Sequence, residues 1–449
     1  MIIKLPSYVE AVFDRLTANM FECYIVGGCV RDAILHKEPH DWDITTNAKP
    51  SEIRDIFSDY HILDIGEKHG TITVIIEGYP VEITTYRSDG IYVDGRHPES
   101  VSYVSNLKED LERRDFTINA MAYNDEDGII DYFNGQDDLK NKILRTVGDP
   151  DIRFNEDGLR ILRALRFASV LNFSIEEATA TSILANKLLL EKLSAERIRE
   201  EFNKIITGEN EDYILRRYRD VFAVFIPEIE QMFDYDQMNR YHNQDLYEHT
   251  LTVVKNVRPD LELRLAAFFH DIGKVSTAVI IDGEKCFYGH PIASREITES
   301  ILQRMKYDKT TVNDVCILVE RHLICGEFTN KSIKKLMNKT GEELFIKLLD
   351  LVEADKNSHA SHNVFDKQGI LDICAVIHKN KECFKLSDLK INGYDLIEMG
   401  FERDSTMKQV LTNILHLVMI NELENDSEII KKYVLEHREE LKKKHTKEV

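Results

Sequence analysis

The pattern of apolar and polar positions divides the chain into two parts. Short β-branched and aromatic runs, such as 24–26 and 81–86, lie before residue 160, together with most of the glycines. Runs of this kind predict strands. Beyond them, Leu, Ile, Glu and Lys recur at helical spacing with few prolines, which predicts helices. The pattern therefore predicts an α+β fold, with an N-terminal domain of strands and helices followed by an all-helical body.

Two glycines, Gly27 and Gly28, separate the strand predicted at 24–26 from a helical pattern that begins at Val30. In such a turn, backbone N–H groups and a helix N-terminus face an incoming anion. If the anion is a phosphate group, the guanidinium of Arg31 can donate two charged hydrogen bonds to its oxygens. The segment lacks the Lys-Ser/Thr of a Walker loop and the third glycine of the dinucleotide fingerprint. We therefore expect a phosphate-binding turn of another kind.

Two aspartates, Asp41 and Asp43, follow this turn. Side chains two residues apart on a strand share a face, so both carboxylates can reach metals about 4 Å apart. Such a pair predicts a site for two Mg²⁺ ions, one activating a hydroxyl and the other neutralising the β- and γ-phosphates of a triphosphate. Glu82, in the second apolar run, is a candidate third carboxylate. The alternative is that Glu82 lies on the solvated side of an edge strand.

Length, charge and cysteine content narrow the class of protein. A chain of 449 residues is expected to form two to four compact units. The formal net charge of -21 argues against indiscriminate nucleic-acid binding, so a nucleic-acid partner must meet a local basic strip. Seven cysteines without a C-x-x-C motif are typical of a reducing compartment. With no signal segment and no long apolar stretch, we expect a cytoplasmic protein without a membrane partner.

A second charged motif starts at Arg113 and continues through an apolar, helix-like segment to Tyr123. Arg114 could bind a triphosphate, and Asn119 could bind the sugar or a backbone carbonyl. The alternative is a structural Arg–Asp pair at a helix terminus.

A third motif spaces charged residues by three. If this segment is helical, its charged positions share one stripe, and they are Asp157, Arg160, Arg163 and Arg166. Cytosine and adenine both present an amino donor beside an unprotonated ring nitrogen, whereas uracil and guanine reverse that order. One Asp157–Arg160 pair would therefore accept CTP and ATP and reject UTP and GTP.

In kind and order, these motifs resemble those of class II tRNA nucleotidyltransferases, which belong to the polymerase-beta-like superfamily. The matching segments are Gly27-Gly28-x-x-Arg31-Asp32 with Asp41-x-Asp43, Arg113-Arg114-Asp115-Phe116-Thr117-x-Asn119-Ala120, Glu156-Asp157-x-x-Arg160 and Ala195-Glu196-Arg197-Ile198. The resemblance spans the first part of the chain, to about residue 210. It implies a head with a small mixed sheet that uses Mg²⁺ to add cytidine-cytidine-adenosine to tRNA 3′ ends. The implied partners are tRNA, CTP and ATP, with neither DNA nor a membrane.

The resemblance also assigns roles to residues. It implies that Asp41 and Asp43 bind metal and that Gly28, Arg31 and Arg114 meet the nucleotide. It implies a base-reading and phosphate-facing helix that carries Asp157, Arg160, Arg163 and Arg166. The segment 87–98 resembles the flexible loop that full CCA-adding members carry and that members adding only cytidines lack. Its Gly, Asp and Pro content predicts a mobile loop, and the alternative is an ordinary linker.

A second set of residues resembles the HD metal-dependent phosphohydrolase domains. Its members in chain order are His249, His270, Asp271 and Asp355. Imidazole and carboxylate groups suit a divalent transition metal, and His290 and His322 could serve a second one. Two alternatives stay open, a structural metal site and an RNA-binding body without hydrolysis.

Together, these patterns predict a nucleotidyltransferase head at 1–150, a helical neck that reads the nucleotide and binds tRNA at 151–220, an HD domain at 221–360 and a helical tail at 361–449. The tail ends in Lys442-Lys443-Lys444 and could hold the tRNA elbow or be a solvated terminus. A poly(A) polymerase is the nearest rival, and the loop at 87–98 and the lack of a long basic extension argue against it. A partial enzyme adding only A or only CC, an HD phosphohydrolase with a nucleotide-binding head and a non-catalytic RNA-binding module are the other rivals.

Overall fold

A computed structural model of the chain describes residues 2–39, 41–63, 70–89, 101–238, 244–324, 327–359 and 365–441. The chain forms two compact units. The first unit is Met1–Phe233 with Ile301–Tyr307, and the second is Asp234–Ser300 with Asp308–Val449. The finer, four-part division stays a prediction.

The first unit combines a sheet with helices. Its strands are β1 (Cys23–Val26), β2 (Asp43–Thr46), β3 (His61–Leu63), β4 (Thr71–Ile76), β5 (Tyr79–Thr85), β6 (Arg87–Asp89), β7 (Val101–Tyr103), β8 (Met121–Asn124), β9 (Gly128–Asp131), β10 (Ile143–Leu144) and β11 (Ser174–Ile175). Its helices are α1 (Ser7–Ala18), α2 (Gly28–Ile34), α3 (Pro50–Ile56), α4 (Leu107–Glu112), α5 (Gly135–Asn141), α6 (Pro150–Glu156), α7 (Leu159–Leu171), α8 (Glu177–Ala185), α9 (Ala195–Ile206), α10 (Glu211–Arg217) and α11 (Arg219–Phe222), with 3-10 segments at Thr117–Asn119, Lys187–Lys192 and Pro227–Met232. Seven strands form one mixed sheet in the order β3-β4-β5-β2-β1-β8-β9, which confirms the predicted α+β head.

Strands β2 and β5 run parallel, and their register fixes the position of two carboxylates. Asp43 pairs with Glu82, and Ile44 pairs with Ile83. Both isoleucines are fully buried on the core side of the sheet. Because side chains alternate along a strand, Asp43 and Glu82 share the opposite face.

Three local predictions need correction. Strand β2 begins at Asp43, so Asp41 lies before the strand and not on it. The helix-like continuation toward Tyr123 is strand β8, which pairs with β1 and β9. The sequence pattern alone predicts a helix here because a short, fully buried apolar run does not distinguish a strand from a helix. The predicted loop at 87–98 starts with β6, and its remaining residues, 90–98, lie outside the described ranges.

Helix α7 carries Arg160, Arg163 and Arg166, the arginine ladder, but it begins later than predicted. The backbone of Asp157 is extended, with φ -142° and ψ 107°, and the helix starts at Leu159. Asp157 Oδ1 accepts a hydrogen bond from the Leu159 N–H at 3.0 Å, in the manner of a helix cap. Asp157 therefore precedes the helical stripe that contains the three arginines.

Two buried ion pairs attach helix α7 to its surroundings. Arg163 Nε and Nη2 donate to Asp115 Oδ2 at 2.8 and 2.5 Å, and Arg166 Nε lies 3.2 Å from Glu201 Oε2 of α9. Burial alone would raise the pKa of Asp115, but the Arg163 guanidinium outweighs burial and holds that pKa at about 2. These pairs position the ladder relative to the sheet.

The second unit is mainly helical. Its elements, together with the helix that enters the segment 301–307, are α12 (Leu246–Asn256), α13 (Leu261–Phe269), α14 (Lys274–Thr277), α15 (His290–Arg304), α16 (Lys309–Arg321), α17 (Asn330–Thr340), α18 (Glu342–Asn357), α19 (Lys367–Lys379), α20 (Gly393–Glu398), α21 (Ser405–Met419), α22 (Ser427–Glu436) and α23 (Arg438–Leu441), with a 3-10 segment at Leu386–Asp388 and a hairpin of β12 (Val279–Ile281) and β13 (Glu284–Cys286). No helix within the described ranges has the length and apolar character that a bilayer span requires. The basic end, Lys442-Lys443-Lys444, lies outside those ranges.

The Asp115–Arg163 pair predicts a specific pH dependence of stability. Because the folded pKa of Asp115 is lowered to about 2, the pair contributes fully above the unfolded pKa and is lost as pH falls toward the folded one. Asp115→Asn should cost about 2–3 kcal/mol of unfolding free energy at neutral pH. Urea titrations should show the difference between parent and variant constant down to about pH 5 and narrowing below it.

Asp59 provides the matched control, because it pairs with Arg15 at 2.6 Å on an exposed surface. Exposed pairs contribute little, so Asp59→Asn should change the unfolding free energy much less than Asp115→Asn. Equal effects of the two variants would contradict the importance of the buried pair.

Candidate active site and metal centre

One cavity of the first unit, of about 890 Å³, collects most of the residues that the sequence marks for nucleotide binding. Its lining residues are Gly27, Gly28, Arg31, Lys37, Asp41, Asp43, Arg114, Asp115, Asn119, Arg163, Arg166, Phe167, Val170, Leu171, Lys204, Thr207, Gly208 and Glu209. Cationic side chains therefore surround the two aspartates. A cavity with this charge pattern suits a polyanion that is held beside a cluster of carboxylates.

Asp41, Asp43 and Glu82 place like charges close together, so these carboxylates repel one another. Burial raises the pKa of Asp43; the Arg114 guanidinium lowers it, and the Asp41 carboxylate raises it further. Burial also raises the pKa of Glu82, with further contributions from Asp43 and Asp41. Carboxylates whose pKa values are raised by burial and by neighbouring negative charge favour a cation among them.

Gly27 allows the backbone to approach the wall of the cavity. Its φ is +84°, and a Cβ atom built there would lie 2.9 Å from Arg114 Nη1. A side chain at this position would meet both backbone strain and a collision. Helix α2 begins at the next residue, Gly28, two residues earlier than the sequence pattern predicts.

A chain of hydrogen bonds links α2 to α7 along the cavity. Arg31 Nη1 donates to Asn119 Oδ1 at 2.7 Å, and Asn119 Nδ2 donates to Asp115 Oδ1 at 3.2 Å. Asp115 in turn accepts from Arg163. Arg31 Nε also donates to Asp32 Oδ1 at 2.8 Å. Asn119 therefore orients two guanidinium groups within the described structure.

Phe167, Lys37 and Lys204 also line the cavity, although the sequence motifs do not assign them to it. The guanidinium carbons of Arg166, Arg31 and Arg163 lie 4.2, 5.1 and 5.6 Å from the centroid of the Phe167 ring. Phe167 follows the ladder directly, so its position was a usable signal. The two lysines are isolated in the sequence, and no motif marks them.

Asp157 and Arg160 are not among the described residues that line the cavity. Arg197 Nη2 lies 2.9 Å from Asp157 Oδ2. Arg160 forms an ion pair with Glu156, and its Nη1 donates to the Arg153 carbonyl at 3.2 Å. The structure therefore gives the two members of the predicted base-reading pair separate partners within the protein.

The four residues whose order resembles that of HD domains come together in the second unit. One potential ligand atom from each of His249, His270, Asp271 and Asp355 lies within 4.8 Å of the others, and all four residues are buried. His249 is on α12, the His270-Asp271 pair directly follows α13, and Asp355 is on α18. Buried imidazoles and carboxylates that converge from three helices could hold a divalent metal ion.

A second group of ligand atoms shares one of these residues. One potential ligand atom from each of Asp271, His290 and His322 also lies within 4.8 Å of the others. Asp271 Oδ2 lies 3.1 Å from His270 Nε2, while its Oδ1 lies 3.2 Å from His290 Nε2. Asp271 therefore offers one oxygen to each group.

Backbone carbonyls set the tautomer of three histidines. The Nδ1 atoms of His270, His290 and His322 lie 2.8, 2.7 and 2.7 Å from the carbonyls of Ala267, Phe287 and Val319. A carbonyl only accepts, so each Nδ1 carries the proton and donates it. In the neutral rings, each Nε2 then holds a lone pair for a cation, as in metal-ligating histidines.

The buried carboxylates of this cluster favour a positive charge beside them. Burial lowers the pKa of His270, but the carboxylates of Asp271 and Asp355 outweigh it and raise that pKa to about 10. Burial and the neighbouring His270 lower the pKa of His322 to about 4. A proton on His270 thus supplies the positive charge that a metal ion would otherwise provide.

Comparison with known families identifies the parts of the chain. Residues 23–145 match the poly A polymerase head domain, and residues 172–233 match the RNA and SrmB-binding site of polymerase A. Residues 292–434 match domain 2 of tRNA nucleotidyltransferases. The head match contains the glycine turn and the three carboxylates.

Individual proteins resemble the chain over nearly its whole length. The CCA-adding enzyme of Lactobacillus helveticus is 33% identical over 438 residues, covering 96% of this chain and 98% of that protein. The crystal structure of the Bacillus stearothermophilus CCA-adding enzyme in complex with CTP matches with a TM-score of 0.69 at 26% identity, covering 97% of this chain and 99% of that chain. The Thermotoga maritima CCA-adding enzyme complexed with tRNA shares the fold, with a TM-score of 0.58 at 21% identity and 96% coverage of each chain. The chain therefore belongs to the family of CCA-adding enzymes and is a tRNA nucleotidyltransferase.

Proposed function

We propose that this chain adds the complete CCA sequence to tRNA from CTP and ATP through a site that uses two metal ions. The observation that carries this proposal is the parallel register of β2 and β5, which sets Asp43, a residue that lines the arginine-rich cavity, beside Glu82 on the neighbouring strand. With Asp41 these carboxylates form a set of oxygen ligands suited to Mg²⁺. Family membership implies a divalent metal, usually Mg²⁺.

The three carboxylates fit such ions, because burial and mutual repulsion raise the pKa values of Asp43 and Glu82. Bound Mg²⁺ would lower the pKa of the RNA hydroxyl and neutralise the phosphates. Asp41, Asp43 and Glu82 would hold the Mg²⁺ beside the cavity.

The remaining residues act on the nucleotide itself. The Gly27–Gly28 turn brings backbone close to the phosphates, and Arg31, Arg114, Arg163 and Arg166 provide charged donors for their oxygens. The RNA 3′-oxygen forms a bond to the α-phosphate, the bond to the β-phosphate oxygen breaks, and pyrophosphate leaves. The hydroxyl proton is released in the same step. Positioning and charge compensation supply most of the catalysis in reactions of this type.

Three tRNA transcripts, ending before CCA, after C and after CC, test the proposal when each nucleotide is supplied separately. We expect the parent to add C, C and A in order, and Asp41→Ala or Asp43→Ala to slow every step by about a thousandfold or more. Affinity for tRNA, measured by filter binding, should stay unchanged.

The exposed Asp55 of α3 is the matched control, and Asp55→Ala should add nucleotides at the parent rate. Addition rates of the two cavity variants near that of the parent would refute the metal assignment. Failure of the parent at the A step or at the C steps would identify a partial enzyme, and continued addition of A would identify a poly(A) polymerase.

We further propose that Asp157 and Arg160 read the base. In the described structure these residues bind Arg197 and Glu156, so base reading requires both ion pairs to be exchanged for contacts with the nucleotide. Asp157 would accept from the amino group of cytosine or adenine, and Arg160 would donate to the adjacent ring nitrogen.

Arg160→Ala should relax discrimination, so that the ratio of kcat/KM for CTP over UTP falls about tenfold or more. Single-nucleotide addition assays with all four triphosphates measure this ratio. Arg197→Ala is a useful companion, because it removes the internal partner of Asp157 and leaves Arg160 intact. Unaltered rejection of UTP by Arg160→Ala would show that the base is read elsewhere.

A second candidate function is metal-dependent hydrolysis of phosphate esters by the second unit. The shared position of Asp271 between two groups of buried ligand atoms favours it. His249, His270, Asp271 and Asp355 would hold one divalent transition metal, which supplies activation of water near neutral pH. His290 and His322, with Asp271, would hold another.

The double variant His270→Ala/Asp271→Ala tests this function. We expect it to lose bound metal in elemental analysis and to lose hydrolysis of a cyclic phosphate or a terminal phosphomonoester, measured with Mn²⁺, Ni²⁺, Co²⁺ and Mg²⁺ in turn. Addition of CCA should continue, since its proposed residues belong to the first unit.

His378, a partly exposed histidine outside both ligand groups, supplies the control His378→Ala. If the parent hydrolyses neither substrate with any of these metals, the hydrolase function is refuted. If the double variant loses metal and melts at a lower temperature while no activity is lost, the centre is structural.

A further inference from the structure

Phe167 is the point on which three cavity arginines converge. The guanidinium carbons of Arg166, Arg31 and Arg163 lie 4.2, 5.1 and 5.6 Å from its ring centroid. The ring is largely buried and packs edge-on against Phe116, with centroids 5.7 Å apart and planes at 77°. Its position is therefore fixed by the core of the first unit.

This convergence creates an electrostatic problem, because like charges around one ring repel one another. Each guanidinium forms an ion pair with a carboxylate: Arg31 with Asp32, Arg163 with Asp115 and Arg166 with Glu201. The carboxylates bind the guanidiniums individually, while the ring is the contact that all three share. The negative face of an aromatic ring attracts cations, so Phe167 lowers the cost of holding the three charges together.

We propose that Phe167 is a positioning residue that holds Arg31, Arg163 and Arg166 ready for the triphosphate of the incoming nucleotide. This inference rests on the proposed function of the cavity. The guanidiniums cover the ring, so it is not available to stack on a base, and their forks match phosphate oxygens. The contribution of Phe167 is therefore independent of the base and equal for CTP and ATP.

Phe167→Leu should raise KM for CTP and KM for ATP by the same factor, about tenfold, with kcat unchanged. It should weaken the binding of inorganic tripolyphosphate, measured by calorimetry, by a similar factor. Phe167→Tyr keeps the aromatic face and should restore the parent values. A fluorinated phenylalanine at this position keeps the ring shape but weakens its negative face, so it should give an intermediate KM.

Phe154→Leu is the control for general loss of packing, because Phe154 is fully buried in α6 and is not among the described lining residues. It should lower the melting temperature while both KM values stay at the parent level. An increase confined to one nucleotide would overturn the proposal in favour of a contact with the base. Unchanged KM values for both the leucine and the fluorinated variants, or equal increases in Phe154→Leu, would also overturn it.

Failure of this inference is distinguishable from failure of the proposed function. If Asp43→Ala abolishes addition while Phe167→Leu changes no KM, the cavity catalyses the reaction and Phe167 does not position its arginines. If Asp43→Ala remains active, the metal assignment fails, and calorimetry with tripolyphosphate still decides the role of Phe167.

Discussion

Groups of like charge held close together, partly removed from water, are the constraint on which both candidate sites depend. In the head, burial and the neighbouring aspartates raise the pKa values of Asp43 and Glu82, and guanidiniums line the same cavity as Asp41 and Asp43. In the second unit, the carboxylates of Asp271 and Asp355 both lie beside the buried His270, with oxygens 3.1 and 3.6 Å from its Nε2. Such arrangements are unfavourable until an ion of opposite charge enters. The fold tolerates them because rigid strands and buried helices leave the side chains no alternative position.

Sequence reasoning located the components of the head but not all of their local conformations. The glycine turn, the two aspartates and the arginine ladder were found because their spacing carries chemistry. The local sequence does not determine the strand conformation of β8 or the start of α7, because these depend on tertiary packing and on the extended backbone of Asp157. The sequence alone does not reveal the surroundings of Phe167, because a phenylalanine in a helix is usually a core residue and only the structure shows the charges around it.

In the second unit, the order of the histidines and aspartates predicted a cluster, and the described helices bring one together. What the sequence could not provide was the orientation of the imidazole rings. Each of three Nδ1 atoms is fixed by the carbonyl three residues earlier, a local contact that depends on backbone geometry at a helix terminus. The shared use of Asp271 likewise follows from the three-dimensional arrangement. The spacing of residues along the chain does not indicate that Asp271 belongs to both groups of ligand atoms.

The register of β2 and β5 has a consequence for how this protein can diverge. Asp43 and Glu82 meet only because the two strands are aligned residue by residue. Inserting or deleting a single residue in either strand would rotate one carboxylate into the core and bring an isoleucine out to the cavity. Substitutions elsewhere in the sheet can accumulate gradually, but changes of strand length at this pair cannot. Evolutionary variation in length should therefore be confined to the connections between strands. The number of residues between Asp43 or Glu82 and the ends of its strand should be preserved.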